Sequence, residues 1–217
     1  MARITLLLVL LYMGGVRGHA QGILDSRSIG WSEAIPLMSG GEPDGHLPQV
    51  AVDQQGNVHI VWAAWLGNRQ DKPFPEALNT FMYRRLSHNS WTPTNDILVA
   101  PDSGAFVPGS LVVDDQGFLN LTWIDLGRTR SVFLSRAHVS VADMAPAWST
   151  ITVDFPQNAA SYPHLLATSG GLLHLVYAKD NRTVVYLSSS DYGETWSSPG
   201  TVWSVAEPSR EAVTNPR

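Results

Sequence analysis

Self-similarity is the feature that most constrains the fold of this chain. Three segments repeat one pattern, in which an apolar run is followed by a glycine-containing turn and a second run that ends in an aromatic residue. They span residues 48–62, 108–123 and 163–177 and end at Trp62, Trp123 and Tyr177. Each segment predicts a β-hairpin. Because an internal repeat can decide the whole fold, these hairpins are interpreted together as copies of one unit.

A second series of short segments, each beginning with a tryptophan, alternates with the hairpins and completes the repeating unit. Trp31, Trp91, Trp148 and Trp196 each open a short segment, and strand-like runs precede the last three of these residues at 80–85, 131–136 and 184–189. Each repeat therefore contains four short strands, here called A to D. Four antiparallel strands repeated every ~40–60 residues are typical of a β-propeller blade. A β-sandwich is the alternative, but a sandwich does not predict self-similar repeats.

The turn at residues 189–196 carries the most specific motif. Its sequence fits the pattern S-x-D-x-G-x-T-W through Ser189, Asp191, Gly193, Thr195 and Trp196. Ser and Asp oxygens can accept hydrogen bonds from the amides of a tight turn, and Gly supplies a positive φ. The tryptophan is expected to begin the next strand and to pack back on the blade. An ordinary Asx-type hairpin turn is the alternative interpretation.

This motif resembles the Asp-box, also called the BNR repeat, of the sialidase (neuraminidase)-like superfamily. The resemblance implies an all-β fold, a β-propeller of four-stranded antiparallel blades. The sequence predicts an incomplete ring with about three full blades plus flanking strands. A D strand of an earlier blade is expected within 21–47, and residues 214–217 match the start of another A strand. Residues 21–217 are thus predicted to form a partial propeller, which is either a truncated reading frame or a half-ring that self-associates through open edges.

Residues 1–20 are predicted to be a signal peptide. Arg3 supplies the positive charge, residues 4–13 are apolar, and 18–20 offer small residues for cleavage. An uncleaved anchor is the alternative; after cleavage no membrane span is expected.

The chain contains no Cys, which excludes disulfides and thiol chemistry, and its net charge of −5 argues against nucleic acid as a partner. The predicted location is secreted, periplasmic or at the cell surface.

Antiparallel strand order assigns the connections to two faces. The A–B and C–D turns share one face, which includes the Asp-box, and the B–C and D–A loops share the other. In sialidase-like propellers the pocket lies on the face opposite the Asp-boxes. Asp191 is therefore expected to be structural, and the repeated strand-B histidines, His59 and His174, are expected to be half-buried strand residues rather than metal ligands.

The candidate site residues lie in the loops of the opposite face. Glycoside hydrolysis needs a carboxylic acid and a second group as nucleophile or base, and the catalytic candidates are Asp44, Asp125 and Asp180. Aromatic Trp65 and Tyr162 are candidates for substrate binding. The resemblance implies an arginine cluster that binds a substrate carboxylate, and equivalent loops supply Arg69, Arg128 and Arg182.

Three functions follow as hypotheses. The first is an extracytoplasmic propeller that acts on or binds glycans, with exo-glycosidase hydrolysis of the sialidase type if its pocket is catalytic. The second is a non-catalytic propeller that binds glycans or proteins, and the third is a structural or assembly propeller. The chain departs from sialidases in lacking the F/Y-R-I-P motif. No cofactor is expected, and no calcium ligands can be assigned.

Overall fold

A computed structural model describes residue 36 and residues 45–65, 78–99, 105–126, 130–155 and 162–205. The described residues form three antiparallel sheets. The first sheet contains β1 (Gly45–Val52), β2 (Val58–Ala64), β3 (Thr80–Ser87), β4 (Ser90–Trp91) and β5 (Asn95–Val99). The second contains β6 (Phe106–Val113), β7 (Phe118–Asp125), β8 (Val132–His138) and β9 (Ser149–Asp154). The third contains β10 (His164–Ala167), β11 (Leu173–Asp180), β12 (Thr183–Ser189) and β13 (Gly200–Ser204). Two short 3₁₀ helices span Ala145–Ala147 and Ser169–Gly171.

Each sheet is a meander in which consecutive strands pair antiparallel. The expected four-stranded repeat is therefore confirmed, with one variation. In the first sheet, β4 and β5 both pair with β3, so the fourth strand is broken between Trp91 and Asn95. The three sheets are successive blades of an incomplete propeller. Residues 1–44, where the signal peptide and the earlier D strand are expected, and residues 214–217 lie outside the described residues, except for residue 36.

The connections of the three sheets fall on two faces. The turn face carries the turns at 53–57, 114–117 and 168–172, between the first and second strands, and the turns between the third and fourth strands. The loop face carries the connections that follow β2, β7 and β11. Hydrogen bonds join the turns of neighbouring sheets: Gln54 donates to the Asp115 carbonyl (3.4 Å), and the Gly170 amide donates to Asp115 Oδ2 (2.6 Å). The turn ends of all three sheets therefore lie side by side.

Aromatic residues fill the space between the first two sheets. Phe81 on β3 contacts Phe106 on β6, with ring centroids 4.2 Å apart, and Trp123 on β7 lies 5.2 Å from Phe106. Trp123 also stacks on Phe133 of its own sheet. Because side chains alternate along a strand, the second sheet can pack on the first sheet with one side and on the third sheet with the other.

The second and third sheets approach closely at their first strands. A Cβ built on Gly109 would lie 2.0 Å from the carbonyl oxygen of Pro163, so only glycine fits this position. Two hydrogen bonds join the sheets nearby: the Leu165 amide donates to Ser110 Oγ (2.7 Å), and Thr122 Oγ1 donates to the Pro163 carbonyl (3.1 Å). The sheets thus pack through backbone contact as well as through apolar side chains.

Candidate functional site

The loop face receives the ends of three second strands. Trp65 directly follows β2, Asp125 is the last residue of β7, and Asp180 is the last residue of β11. Because the three sheets align at their turns and have equivalent strand order, these residues share one end of the assembly. The three side chains are partly exposed. The strand ends therefore place an aromatic ring and two carboxylates on the face predicted from the sequence.

Asp180 holds the tight connection between β11 and β12. Its Oδ1 accepts a hydrogen bond from the Arg182 amide at 2.7 Å. The residues from 181 to 182 are exposed, so the Arg182 side chain stands at the surface of the loop face. One carboxylate oxygen of Asp180 is thereby used by the turn.

Asp125 and Tyr162 are half-buried residues at the loop end of the second and third sheets. The Asp125 amide donates to the Ser131 carbonyl at 3.2 Å, which closes the connection between β7 and β8. Tyr162 precedes β10, is half-buried, and packs against the hydrophobic core. Three other predicted site residues, Asp44, Arg69 and Arg128, lie outside the described residues.

A tyrosine–carboxylate pair joins two sheets at the loop end. The Tyr177 hydroxyl on β11 donates to Asp154 Oδ2 at the end of β9. Tyr177 is fully buried, and burial, together with the Asp154 carboxylate, raises its pKa far above the ordinary value of 10.0. A buried hydroxyl held in this way is a link between sheets rather than an accessible nucleophile. The sequence interpretation missed this pair, although the repeat places Tyr177 where the first two sheets have Trp62 and Trp123.

The Asp191 carboxylate holds the turn between β12 and β13. Ser189 Oγ donates to Asp191 Oδ1 at 2.7 Å, and the Thr195 amide donates to the same oxygen at 2.9 Å. The Thr195 hydroxyl donates to Oδ2, and these bonds, the one from Thr195 foremost, lower the pKa of Asp191 to about 2. The Gly193 amide in turn donates to Ser189 Oγ at 2.8 Å. All polar groups of the motif therefore serve the turn itself.

The same turn contacts the neighbouring sheet. A Cβ on Gly193 would lie 2.5 Å from Leu134 of the second sheet and 3.0 Å from Leu173 of the third. Trp196 differs from expectation in one respect, since the following strand begins at Gly200 rather than at the tryptophan. Its indole nitrogen donates to the Gly193 carbonyl at 3.1 Å, so the ring closes the turn instead of pairing in the sheet.

A buried polar chain supports the turn face in the first sheet. His59 Nε2 lies 3.2 Å from Asp53 Oδ2, and His59 Nδ1 lies 2.8 Å from the Tyr83 hydroxyl. A carboxylate only accepts, so Nε2 carries the proton and Nδ1 accepts from Tyr83. Burial lowers the pKa of His59 below 6.5, although the bond to Asp53 opposes this. The residue is therefore held neutral as part of the interior.

The equivalent histidine in the third sheet has a similar partner. His174 Nδ1 lies 2.7 Å from the Tyr186 hydroxyl, and His174 is half-buried.

In the part of the chain that the structure describes, no group of three or more His, Asp or Glu side chains is arranged to hold a metal ion. Within the same ranges, no helix has the length and apolar character needed to cross a membrane.

Comparison with protein-family models and with curated protein sequences gives no match. The fold, however, is similar to solved structures of sialidases. A Hadza microbial sialidase superposes with a TM-score of 0.53 and 18% identity over 69% of this chain and 32% of its own. The intramolecular trans-sialidase from Ruminococcus gnavus superposes with a TM-score of 0.53 and 9% identity over 71% of this chain and 53% of its own. The chain thus spans about a third to a half of the length of these proteins, and the likeness concerns the fold.

Proposed function

We propose that this protein is an extracytoplasmic, sialidase-like propeller that binds glycans at its loop face. The observation that supports the proposal is that Trp65, Asp125 and Arg182 lie at or just after the loop ends of the second strands of three successive sheets. Function resides in such sites rather than in the fold itself, and this set has the chemistry of sugar recognition. Export through a signal peptide at residues 1–20 belongs to the same proposal and would bring the site to extracellular glycans.

Each residue type has a distinct role in the proposed site. The partly exposed indole of Trp65 offers an apolar surface to the C–H face of a sugar ring. The exposed guanidinium of Arg182 can bind a carboxylate with two parallel hydrogen bonds. Arg69 and Arg128, which occupy equivalent connections in the sequence, would extend this anion site, and Tyr162 would contribute a ring beside it.

Hydrolysis is the further step of the proposal. A glycosidase needs an acid that protonates the leaving oxygen and a second group as nucleophile or base. Asp125 is our first candidate for the acid, because it ends a central strand and is partly shielded from water. Asp44 is proposed from its place in the sequence. Asp180 is a weaker candidate, since it uses Oδ1 to hold its own turn.

A glycan array with the purified full chain tests the binding proposal. We expect binding of glycans that end in an acidic sugar, and we expect Arg182→Ala to weaken it by roughly tenfold, since a bidentate ion pair is worth on the order of 1–3 kcal/mol. Glu194→Gln is the matched control, because Glu194 is an exposed charge on the turn face. Equal loss in both variants, or no glycan bound by the wild type, would contradict the proposal.

Turnover separates an enzyme from a binding protein. Fluorogenic exo-glycosidase substrates would be incubated with the wild type and with Asp125→Asn. Release of the fluorophore that is abolished in Asp125→Asn supports hydrolysis, with glycan binding retained as the sign of an intact site. Binding without any turnover would favour the second candidate function, a non-catalytic glycan-binding propeller.

A further inference from the structure

A groove lies on the turn face, at the opposite end of the strands from the proposed glycan site. It has a volume of about 240 Å³ and is surrounded by the ends of β1, β6 and β10. Its apolar floor consists of Val52, Val113 and Ala167, with one residue from each sheet. Val52 is 51% exposed, so this floor is open to a ligand.

Polar groups from the three sheets form the rim of the groove. The polar residues that line it are Gln54, Asp114, Asp115, Thr168 and Ser169. The Gly170 amide donates to Asp115 Oδ2, and Gln54 donates to the Asp115 carbonyl, so the fold fixes the rim in place. Five of the eight lining residues are therefore polar, and such groups fix the orientation of a bound ligand and give a site its specificity.

The charges at the groove indicate which ligands it would accept. Asp114 is buried and its charge is balanced by Arg136, whose Nη2 lies 3.1 Å from Asp114 Oδ2. Asp115 is exposed, and its carboxylate accepts from the Gly170 amide and from the Tyr192 hydroxyl, which are both neutral donors. A carboxylate at the rim accepts hydrogen bonds from hydroxyl groups and repels anions. The groove therefore favours a neutral ligand rich in hydroxyl groups.

We propose that this groove binds a single neutral sugar residue. The C–H face of the ring would rest on Val52, Val113 and Ala167, and ring hydroxyls would donate to Asp115. A volume below the ~300–1,000 Å³ of drug-sized pockets suits one ring rather than an oligosaccharide. The protein would then have two sugar sites, one on the turn face that binds neutral sugars and one on the loop face that binds acidic sugars.

Saturation-transfer difference NMR tests the proposal with two probes, methyl β-galactoside as the neutral sugar and methyl N-acetylneuraminide as the acidic one. We expect Val52→Phe to fill the groove and to weaken binding of the neutral probe by about tenfold or more, because the added ring occupies the ligand's volume. Val50→Phe is the matched control. It lies two residues earlier on the same strand, is 63% exposed, and does not line the groove.

The two variants also separate this proposal from the one for the loop face. Loss of the neutral probe in Val52→Phe, with the acidic probe unchanged, supports the groove. Equal signals for the neutral probe in Val52→Phe and Val50→Phe would overturn it, as would no signal with the wild type. Should Val52→Phe fail to fold, Ala167→Leu fills the groove from the third sheet and is judged by the same outcomes.

Discussion

At the scale of single residues, Gly193 connects the turn at 189–196 to the sheet beside it. Its φ of +86° is unfavourable for other residues, and an added Cβ would meet Leu134 at 2.5 Å. We expect Gly193→Ala to lower the free energy of unfolding by about 2–5 kcal/mol, as the sum of a ~1–2 kcal/mol backbone cost and a ~1–3 kcal/mol packing cost. Urea denaturation followed by tryptophan fluorescence measures the change.

Gly56 is the matched control for this prediction. It has a similar φ of +81°, but a Cβ there would meet nothing within 4 Å. Gly56→Ala should therefore show the backbone cost alone, about 1–2 kcal/mol. Equal effects of the two substitutions would show that Gly193 does not couple the turn to the second sheet.

The lowered pKa of His59 predicts that the protein loses stability in weak acid. This pKa is lowered in the folded state, chiefly by burial, so the unfolded chain takes up a proton at a pH where the folded chain does not. The free energy of unfolding should therefore fall as the pH drops below about 6.5. His59→Asn, which introduces the residue found at the equivalent Asn120, should reduce this fall. Urea titrations between pH 7 and pH 5 measure both proteins.

Asp53 also predicts a loss of stability as the pH falls, but at a lower pH than His59. Burial raises its pKa, but hydrogen bonds from Asn57, His59 and Gln55 together outweigh burial and lower it below 3.8. The stability that Asp53 contributes is present above pH 3.8 and is lost as the pH falls through the folded-state value. The two effects can therefore be told apart. If the free energy of unfolding fell between pH 7 and pH 5 as much in His59→Asn as in the wild type, the role given to His59 would be contradicted.

At the scale of strands and turns, the sequence predicted the hairpins well, because alternating apolar residues and glycine turns are local signals. The break between β4 and β5 and the start of β13 at Gly200 were not predicted. In both places a tryptophan fits the repeat, but Trp91 lies within a strand and Trp196 lies before one, in a turn that side-chain hydrogen bonds hold. The indole of Trp196, for example, bonds to the carbonyl of Gly193. Pattern alone does not register such a bond.

Tyr177 and Asp154 predict a measurable coupling between the second and third sheets. Removing the hydroxyl in Tyr177→Phe should cost about 1–2 kcal/mol of unfolding free energy, because the hydrogen bond between a buried hydroxyl and a carboxylate is lost. A double-mutant cycle with Asp154→Asn should give a coupling energy of at least about 0.5 kcal/mol. Additive effects would mean that the pair does not hold the sheets together.

At the scale of the whole molecule, the repeat predicted three equivalent sheets and the division into a turn face and a loop face. The placement of Trp65, Asp125 and Asp180 at one end of their strands follows from that repeat. The contacts between sheets could not be predicted, since they join residues far apart in the chain, such as Tyr177 with Asp154. The groove on the turn face was missed for the same reason, because its lining comes from three separate hairpins.

Hydrogen–deuterium exchange with and without the best glycan from the array is the measurement that tests the central claim most directly. The account predicts slower exchange on glycan binding in peptides from the loop face, those that contain Asp125 and residues 180–183. Peptides that contain the turns at 53–57 and 114–117 should be unchanged by an acidic glycan. Protection confined to those turns, or no protection anywhere, would contradict the assignment of the glycan site to the loop face.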